Sequence, residues 1–235
     1  MEPFPERCMK KKAVVLLSGG LDSATVTAIA GSKGFEIYAV TFDYGQRHRW
    51  EIKAAKKLAA VMKVRKHLLL KVEMRKIGGS ALTSNMKIPK KRKCSEMRKN
   101  VPATYVPARN TVFLSLALAW AETLGSKDIF IGANVVDFSG YPDCRPEYLK
   151  AFEKMANLAV REKAGKGLRI HAPLIKMAKA DIIKKGLKLG VDYSLTHTCY
   201  DPAERGISCG ECDACILRKK GFKEAQTVDP VRYKK

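Results

Sequence analysis

Two clusters of residues have types and spacings that could do chemistry. The first is Ser18-Gly19-Gly20-Leu21-Asp22-Ser23, directly after the apolar run Ala13–Leu17. Paired glycines let the backbone approach a ligand and expose its N–H groups. A helix starting near Ser23 would aim its positive end at the same point, and Ser18 and Ser23 add hydroxyl donors. The turn is suited to a phosphate or pyrophosphate. Asp22 is an odd neighbour for an anion unless it caps the helix or helps hold a divalent cation. No Gly-Lys-Ser/Thr follows, so this is not a Walker loop, and the spacing is not that of a dinucleotide fingerprint. The second cluster is Cys199-x9-Cys209-x2-Cys212-x2-Cys215. Two thiols spaced CxxC chelate one ion, and four suit a tetrahedral zinc with no position left for water, hence one structural Zn²⁺ per subunit. Gly210 helps the chain turn between ligands, and Arg205, Arg218, Lys219 and Lys220 favour the ligating thiolate. An iron–sulfur cluster, a redox pair and His197 as a substitute ligand are the alternatives.

Two central segments add candidates. Tyr105-Val106-Pro107-Ala108-Arg109-Asn110 leads into a helix, where Arg109 can pair with phosphate or carboxylate and Asn110 can cap. Gly132–Arg145 follows a strand, on the side where parallel sheets bind ligands. Its Asp137 and Asp143 could accept from the N–H groups of a guanine-like base, with Tyr141 or Phe138 stacking on it. Tyr141, Asp137, Asp143 and Arg145 are therefore the substrate candidates. Arg109 and Lys176 are candidates for neutralising developing charge, beside Ser18, Asp22 and Ser23.

The elements that must position these residues read as a β-α-β-α-β start. Strands are expected at Ala13–Leu17, Phe35–Phe42 and Arg65–Val72, with helices at Ser23–Ser32 and Arg49–Lys63. A helix Asn110–Gly125, a strand Asp128–Ile131, a helix from Pro146, a strand Ile170–Leu174 and a helix Lys179–Leu189 follow. This is an α/β fold: a parallel five-stranded sheet with helices on both faces, and a small C-terminal four-cysteine motif. Residues 1–195 read as the nucleotide-binding catalytic domain, with 1–12 as a tail, and residues 196–235 as the zinc-binding segment. Gly78–Pro107 breaks the rhythm. Within it Asn85–Asn100 holds seven Lys/Arg and one Glu, and a long irregular segment inside a domain is expected to be a lid or a mobile loop.

Composition sets the outer limits. Lys+Arg is 45 against 23 Asp+Glu, a net charge of +22. That excess suits an anionic partner such as RNA, or a heat-adapted surface. The seven cysteines are odd in number. Met1–Lys12 is too polar for a secretory signal, so a reduced, cytoplasmic compartment is expected. The most apolar stretch, Val112–Ala121, falls short of a membrane span.

SGGLDS resembles the PP-loop of the ATP pyrophosphatases, which bind ATP on this loop, cleave between the α and β phosphates and transfer AMP to a substrate oxygen. SGGLDS, FDYGQRH (Phe42–His48), YVPARN, GYPDCRPEY (Gly140–Tyr148) and CGECDAC (Cys209–Cys215), in that order, resemble the 7-cyano-7-deazaguanine synthase family. The resemblance runs from about Ala13 to Phe222. It implies conversion of 7-carboxy-7-deazaguanine to the 7-cyano base with ATP, Mg²⁺ and ammonia, for queuosine or archaeosine in tRNA. It implies ATP binding by Leu17, Ser18, Gly19, Gly20, Leu21, Asp22, Ser23, Ala24, Thr25, Val26 and Thr27. It also implies zinc on Cys199, Cys209, Cys212 and Cys215, and a homodimer. The competing readings are a PP-loop enzyme acting directly on tRNA, by thiolation or lysidine-type ligation, and a non-catalytic zinc-stabilised RNA-binding module. Cys94 and Cys144, each single, are the only thiols available for thiolation.

Overall fold

Ala13, Val14 and Val15 are wholly buried, because their strand has a packed core on each side. Val14 and Leu16 face one core, with Val40, Phe42, Leu114 and Ile129. Ala13, Val15 and Leu17 face the other, with Val26, Leu58, Phe130 and Ile183. A strand sends alternate side chains to opposite faces, so burial of both faces demands the unbroken apolar run seen in the sequence.

The computed structural model describes residues 10–97, 101–136, 141–161 and 167–234. In chain order the principal elements are β1 (Lys12–Leu16), α1 (Leu21–Ser32), β2 (Glu36–Asp43), α2 (Trp50–Val61), β3 (Lys66–Lys71), α3 (Arg109–Leu124) and β4 (Asp128–Phe130). They continue with α4 (Pro146–Ala159), β5 (Arg169–His171), α5 (Lys179–Lys188) and α6 (Asp213–Glu224). The sheet has five strands in the order β3-β2-β1-β4-β5, and every pairing is parallel. The chain leaves β1 toward β2 on one side and later returns to β4 on the other. That reversal opens a crevice beyond the C-terminal ends of β1 and β4. Helices α3 and α4 contribute to the first core, and α1, α2 and α5 to the second.

Element bounds differ from the sequence reading in two informative places. Helix α1 begins at Leu21 with Gly20 as its cap, which carries Asp22 into the first turn. Strand β5 ends at His171, two residues before Pro173, which has no N–H to offer a ladder. No helix among the described residues is long and apolar enough to cross a membrane.

The basic segment that broke the rhythm is tied down where it is described. Lys90 pairs with Asp201 at 2.7 Å, Lys91 with Glu211 at 3.2 Å and Arg92 with Asp213 at 3.6 Å. An antiparallel bridge joins Lys90 to Cys212, the Lys91 amide donates to the Glu211 carbonyl, and Ile88 and Leu82 are buried in the first core. The segment is thus a strap across the cysteine loop. The described chain end is folded onto the same loop. The buried Arg218 holds Asp229 at 3.0 Å, and the Ser208 amide donates to the Arg232 carbonyl.

Two helical glycines show how tightly the second core is closed. A Cβ on Gly186 would lie 1.8 Å from the Tyr193 hydroxyl, which bonds Thr25 at 2.7 Å and donates to the Ile182 carbonyl. A Cβ on Gly31 would meet only the Ile37 side chain at 3.5 Å. Gly186→Ala is expected to destabilise by about 1–3 kcal/mol through overpacking. Gly31→Ala is expected to stabilise by roughly 0.5–1 kcal/mol through helix propensity. Thermal melts of the two variants moving in the same direction would contradict this packing.

Candidate functional site

The glycine turn continues β1: the Leu17 amide donates to the Val40 carbonyl at 2.8 Å. Gly19 then takes φ +89°, and a Cβ there would lie 2.1 Å from the Glu51 carbonyl oxygen of α2. Only glycine fits, on both counts. The Gly19 carbonyl accepts from the His197 amide at 2.9 Å, so the turn is clamped from two sides. The Ser23 hydroxyl donates to the Gly20 carbonyl at 2.9 Å, and the Ser18 hydroxyl to Ser23 at 3.1 Å. The N–H groups of the first turn of α1 have no intrahelical acceptor, and they carry the positive end of its dipole.

Asp22 does not cap α1. Its two oxygens accept from the Lys179 ammonium at 2.8 and 2.9 Å. The lysine is nearly buried, and its stem passes over α6 where a Cβ on Gly221 would be 2.3 Å from its Cγ. The carboxylate at the anion-binding turn is therefore neutralised by a lysine from a distant helix. Leu17, Ser18, Gly20, Leu21, Asp22 and Ser23 line one cavity of about 230 Å³. Ala24, Thr25, Val26 and Thr27 are buried along α1 behind the turn, with Thr25 and Thr27 back-bonded to the Leu21 and Ser23 carbonyls.

Beyond the turn the same cavity is aromatic, walled by Phe42, Tyr44, Phe113, Tyr141 and Tyr200. Phe42 stacks on Phe113, centroids 4.1 Å apart and planes at 12°. Burial pushes the Tyr44, Tyr141 and Tyr200 phenols above their ordinary values, so all three stay hydroxyl groups. Arg109 enters this chamber, its guanidinium 5.9 Å from the Tyr44 ring centre. Burial opposes its charge, but the surrounding phenols of Tyr44, Tyr141 and Tyr200 outweigh that and hold its pKa above the usual value. Ala108, just before it, has φ +52°, a left-handed conformation rare for alanine. The Ala108 amide donates to the Tyr105 hydroxyl at 3.1 Å, so the strained corner that aims Arg109 is held from within its own motif.

Glu51 is the other carboxylate in the cavity wall. Burial pushes it up to about 7, against the pull of Arg109. Sequence reading missed it. Its only signal was a place in the first turn of the helix that follows FDYGQRH.

The remaining candidates fall elsewhere. Asp143 is buried and accepts from the Asn110 amide at 2.9 Å, so it caps α3 while Asn110 itself lines the cavity. Arg145 is exposed at the start of α4, and Lys176 is exposed and absent from the cavity wall that holds Lys179. Asp137 and Phe138 lie outside the described residues. Cys144 lines the cavity, but burial pushes its thiol up to about 11, leaving it protonated and a poor nucleophile.

The four C-terminal cysteines are all buried, with sulfur atoms within 4.8 Å of one another. A tetrahedral ion at ~2.3 Å from each sulfur spaces them by ~3.8 Å, so the set fits one metal ion. Backbone amides point at the sulfurs: Cys209 N–H to Cys199 at 3.2 Å, Cys212 N–H to Cys209 at 3.3 Å and Tyr200 N–H to Cys212 at 3.5 Å. Such donors stabilise ligating thiolates, and the neighbouring thiols of Cys199 and Cys215 hold Cys212 far below the ordinary value. His197 is not in the set. It lines the cavity and meets His48 edge-on at 5.2 Å.

The sequence model of a family described as "Queuosine biosynthesis protein QueC" matches residues 12–226. A 7-cyano-7-deazaguanine synthase of Syntrophobacter fumaroxidans is 59% identical over 226 residues, covering 95% of this chain and 97% of that one. One from Citrifermentans bemidjiense is 59% identical over 228 residues, covering 97% and 100%. Among solved structures, a 4-thiouridine synthetase–RNA complex with bound ATP superposes with a TM-score of 0.53 at 19% identity, over 92% of this chain and 50% of that one. The NMN synthetase of Francisella tularensis gives 0.50 at 14%, over 93% and 79%. At those identities the likeness shows the fold alone, an α/β fold around a five-stranded parallel sheet.

Two measurements follow from this geometry. Chelation of a bound metal is expected to loosen the strap, so trypsin should cut within 87–93 faster after chelation. An unchanged cutting rate would mean the cysteine loop does not hold it. The second concerns Glu51. A carboxyl whose folded pKa is raised makes the folded state bind more protons between its ordinary value of 4.5 and about 7. Stability from that group is therefore full below 4.5 and lost as pH rises through 7. Glu51→Gln should raise the melting temperature over wild type more at pH 8 than at pH 4. Equal gains at both would show that the carboxyl titrates normally.

Proposed function

The chain belongs to the QueC family of queuosine biosynthesis proteins, and from that premise we propose that it is an ATP-dependent ligase converting 7-carboxy-7-deazaguanine and ammonia to 7-cyano-7-deazaguanine. One observation carries the reading. A phosphate-binding turn, with Asp22 neutralised by Lys179, opens into an aromatic chamber that contains Arg109. The turn suits a polyphosphate, the chamber a flat heterocycle, and the guanidinium the carboxylate that joins them.

A carboxylate is a poor acyl donor because oxide would have to leave. In the proposed reaction its oxygen attacks the α-phosphorus of ATP, and pyrophosphate departs on the first-turn amides of α1 with the Lys179 ammonium beside it. Ammonia then displaces AMP to give the amide. A second ATP activates the amide oxygen, and loss of AMP leaves the nitrile. Two nucleotides are consumed per nitrile, and one per nitrile would overturn that scheme. Preorganised amide and ammonium charge lowers the barrier because it is already aimed where negative charge develops. The Tyr44, Tyr141 and Tyr200 walls keep water from the adenylate.

Zinc is the ion proposed for Cys199, Cys209, Cys212 and Cys215. All four ligands would come from the protein, so the ion would fix the loop that brings His197, Thr198 and Tyr200 to the cavity and would do no chemistry. Mg²⁺ would accompany the nucleotide and offset its charge. Free thiols accord with a reducing, cytoplasmic compartment. The protonated Cys144 speaks against thiolation. Lys90, Lys91 and Arg92 are engaged by acidic residues of the cysteine loop, which gives part of the excess positive charge an internal use.

Incubation with ATP, Mg²⁺, ammonium and 7-carboxy-7-deazaguanine should yield the nitrile by mass. Ser18→Ala, Asp22→Ala and Lys179→Ala should each lower turnover by about 10²–10³-fold while keeping bound metal. Lys176→Ala should lose much less. A reversed order of the two lysine variants would return the charge-neutralising role to Lys176.

A further inference from the structure

Only two carboxylates line the cavity among the described residues, Asp22 and Glu51. Asp22 is committed to Lys179 through both oxygens. The Glu51 carboxylate has no hydrogen bond or ion pair among the described residues, although the Arg109 charge acts on it. The Glu51 backbone carbonyl packs against the phosphate turn at Gly19, while its side chain feels Arg109 and Tyr44 of the aromatic chamber, so the residue links the turn to the chamber in one cavity wall. A carboxylate placed beside a polyphosphate costs binding energy, and the fold places one there without a structural partner. The charged and titratable groups acting on it are Arg109 from α3, Tyr44 from the segment after β2 and Cys212 from the cysteine loop.

We propose that Glu51 is the catalytic proton acceptor for the nitrogen nucleophile. The proposal rests on the ligase reading above. Ammonium, the main species at neutral pH, gives one proton to the Glu51 carboxylate and frees its lone pair. The lone pair attacks the acyl carbon. The C–O bond to AMP breaks with its electron pair on AMP, and a second N–H proton leaves to solvent. In the nitrile-forming half, the amide oxygen bonds the α-phosphorus of another ATP and pyrophosphate departs. Two protons then leave the nitrogen, the first to Glu51, as the C–O bond breaks with its pair on AMP and the third carbon–nitrogen bond forms. No oxidant or reductant is needed. A carboxylate held near 7 suits this task, since it is ionised enough to accept a proton and basic enough to keep it.

The test compares two amines on the full-length, metal-loaded protein. Hydroxylamine is already unprotonated at neutral pH and traps an acyl adenylate as the hydroxamate. Glu51→Gln should lower nitrile formation from ammonium by about 10²–10⁴-fold. It should keep pyrophosphate–ATP exchange in the presence of the acid, an unchanged KM for the acid, and hydroxamate formation from hydroxylamine. Glu51→Asp, which retains a carboxylate, should recover part of the ammonium rate. Equal loss with both amines would overturn the proposal, as would a raised KM with kcat intact, which would make Glu51 a group that holds the base. If wild type forms neither nitrile nor hydroxamate, the ligase reading fails first, and the role of Glu51 with it.

Discussion

The contact between the Glu51 carbonyl and the backbone of Gly19 governs the rest of the site. A backbone oxygen placed 2.1 Å from where a Cβ would stand admits no side chain and leaves the turn no freedom to widen. Helix α2 is thereby pressed against the end of β1. The His197 amide holds the same glycine from the other side, which couples the cysteine loop to the anion-binding turn through one hydrogen bond. Three parts of the chain, far apart in sequence, meet at one residue that has no atoms to spare.

Charge is arranged around that contact rather than spread evenly. The turn needs positive potential, supplied by the dipole of α1 and by Lys179. Asp22 looks misplaced in the sequence, yet it holds the lysine in place at the cost of one negative charge. Arg109 works differently. It stands in an aromatic chamber whose phenols stay protonated, and the carboxylates that feel its charge, Glu51 and Asp143, form no ion pair with it among the described residues. A buried guanidinium without an ion pair is costly, and a carboxylate that enters beside it offsets that cost. Sites that bind anions often carry such a burden at the expense of stability.

The cysteine loop does more than close the chain. It carries Thr198 and Tyr200 into the cavity wall, and its acidic residues Asp201, Glu211 and Asp213 fasten the basic strap. Small loops of this kind have too little apolar area to hold a shape alone, and four ligands on one ion would supply the missing constraint. Backbone amides directed at the sulfurs, together with Arg218 holding Asp229, show the same loop braced from its inner side.

The fold class, the glycine turn and the four-cysteine set were legible in the sequence because each depends on neighbours in the chain. Burial on both faces leaves an apolar run, a phosphate turn needs its glycines adjacent, and a chelate needs CxxC. The basic strap, expected as a lid or a mobile loop, is pinned because its lysines meet acids more than a hundred residues away. Asp143 looked like a base-recognition group and instead caps α3, since only folding shows which backbone amide faces a carboxylate. Lys179 rather than Lys176 lines the cavity because the gap at Gly221 lets its stem pass to Asp22. Glu51 had no motif to announce it. Its carboxyl is ordinary in sequence and becomes unusual only when α2 packs against Gly19 and encloses it beside Arg109. The chain by itself thus determined what chemistry could be hosted, through spacings of a few residues. Tertiary packing decided which side chains face the cavity and with what charge, because desolvation and long-range contacts exist only once the chain has closed on itself.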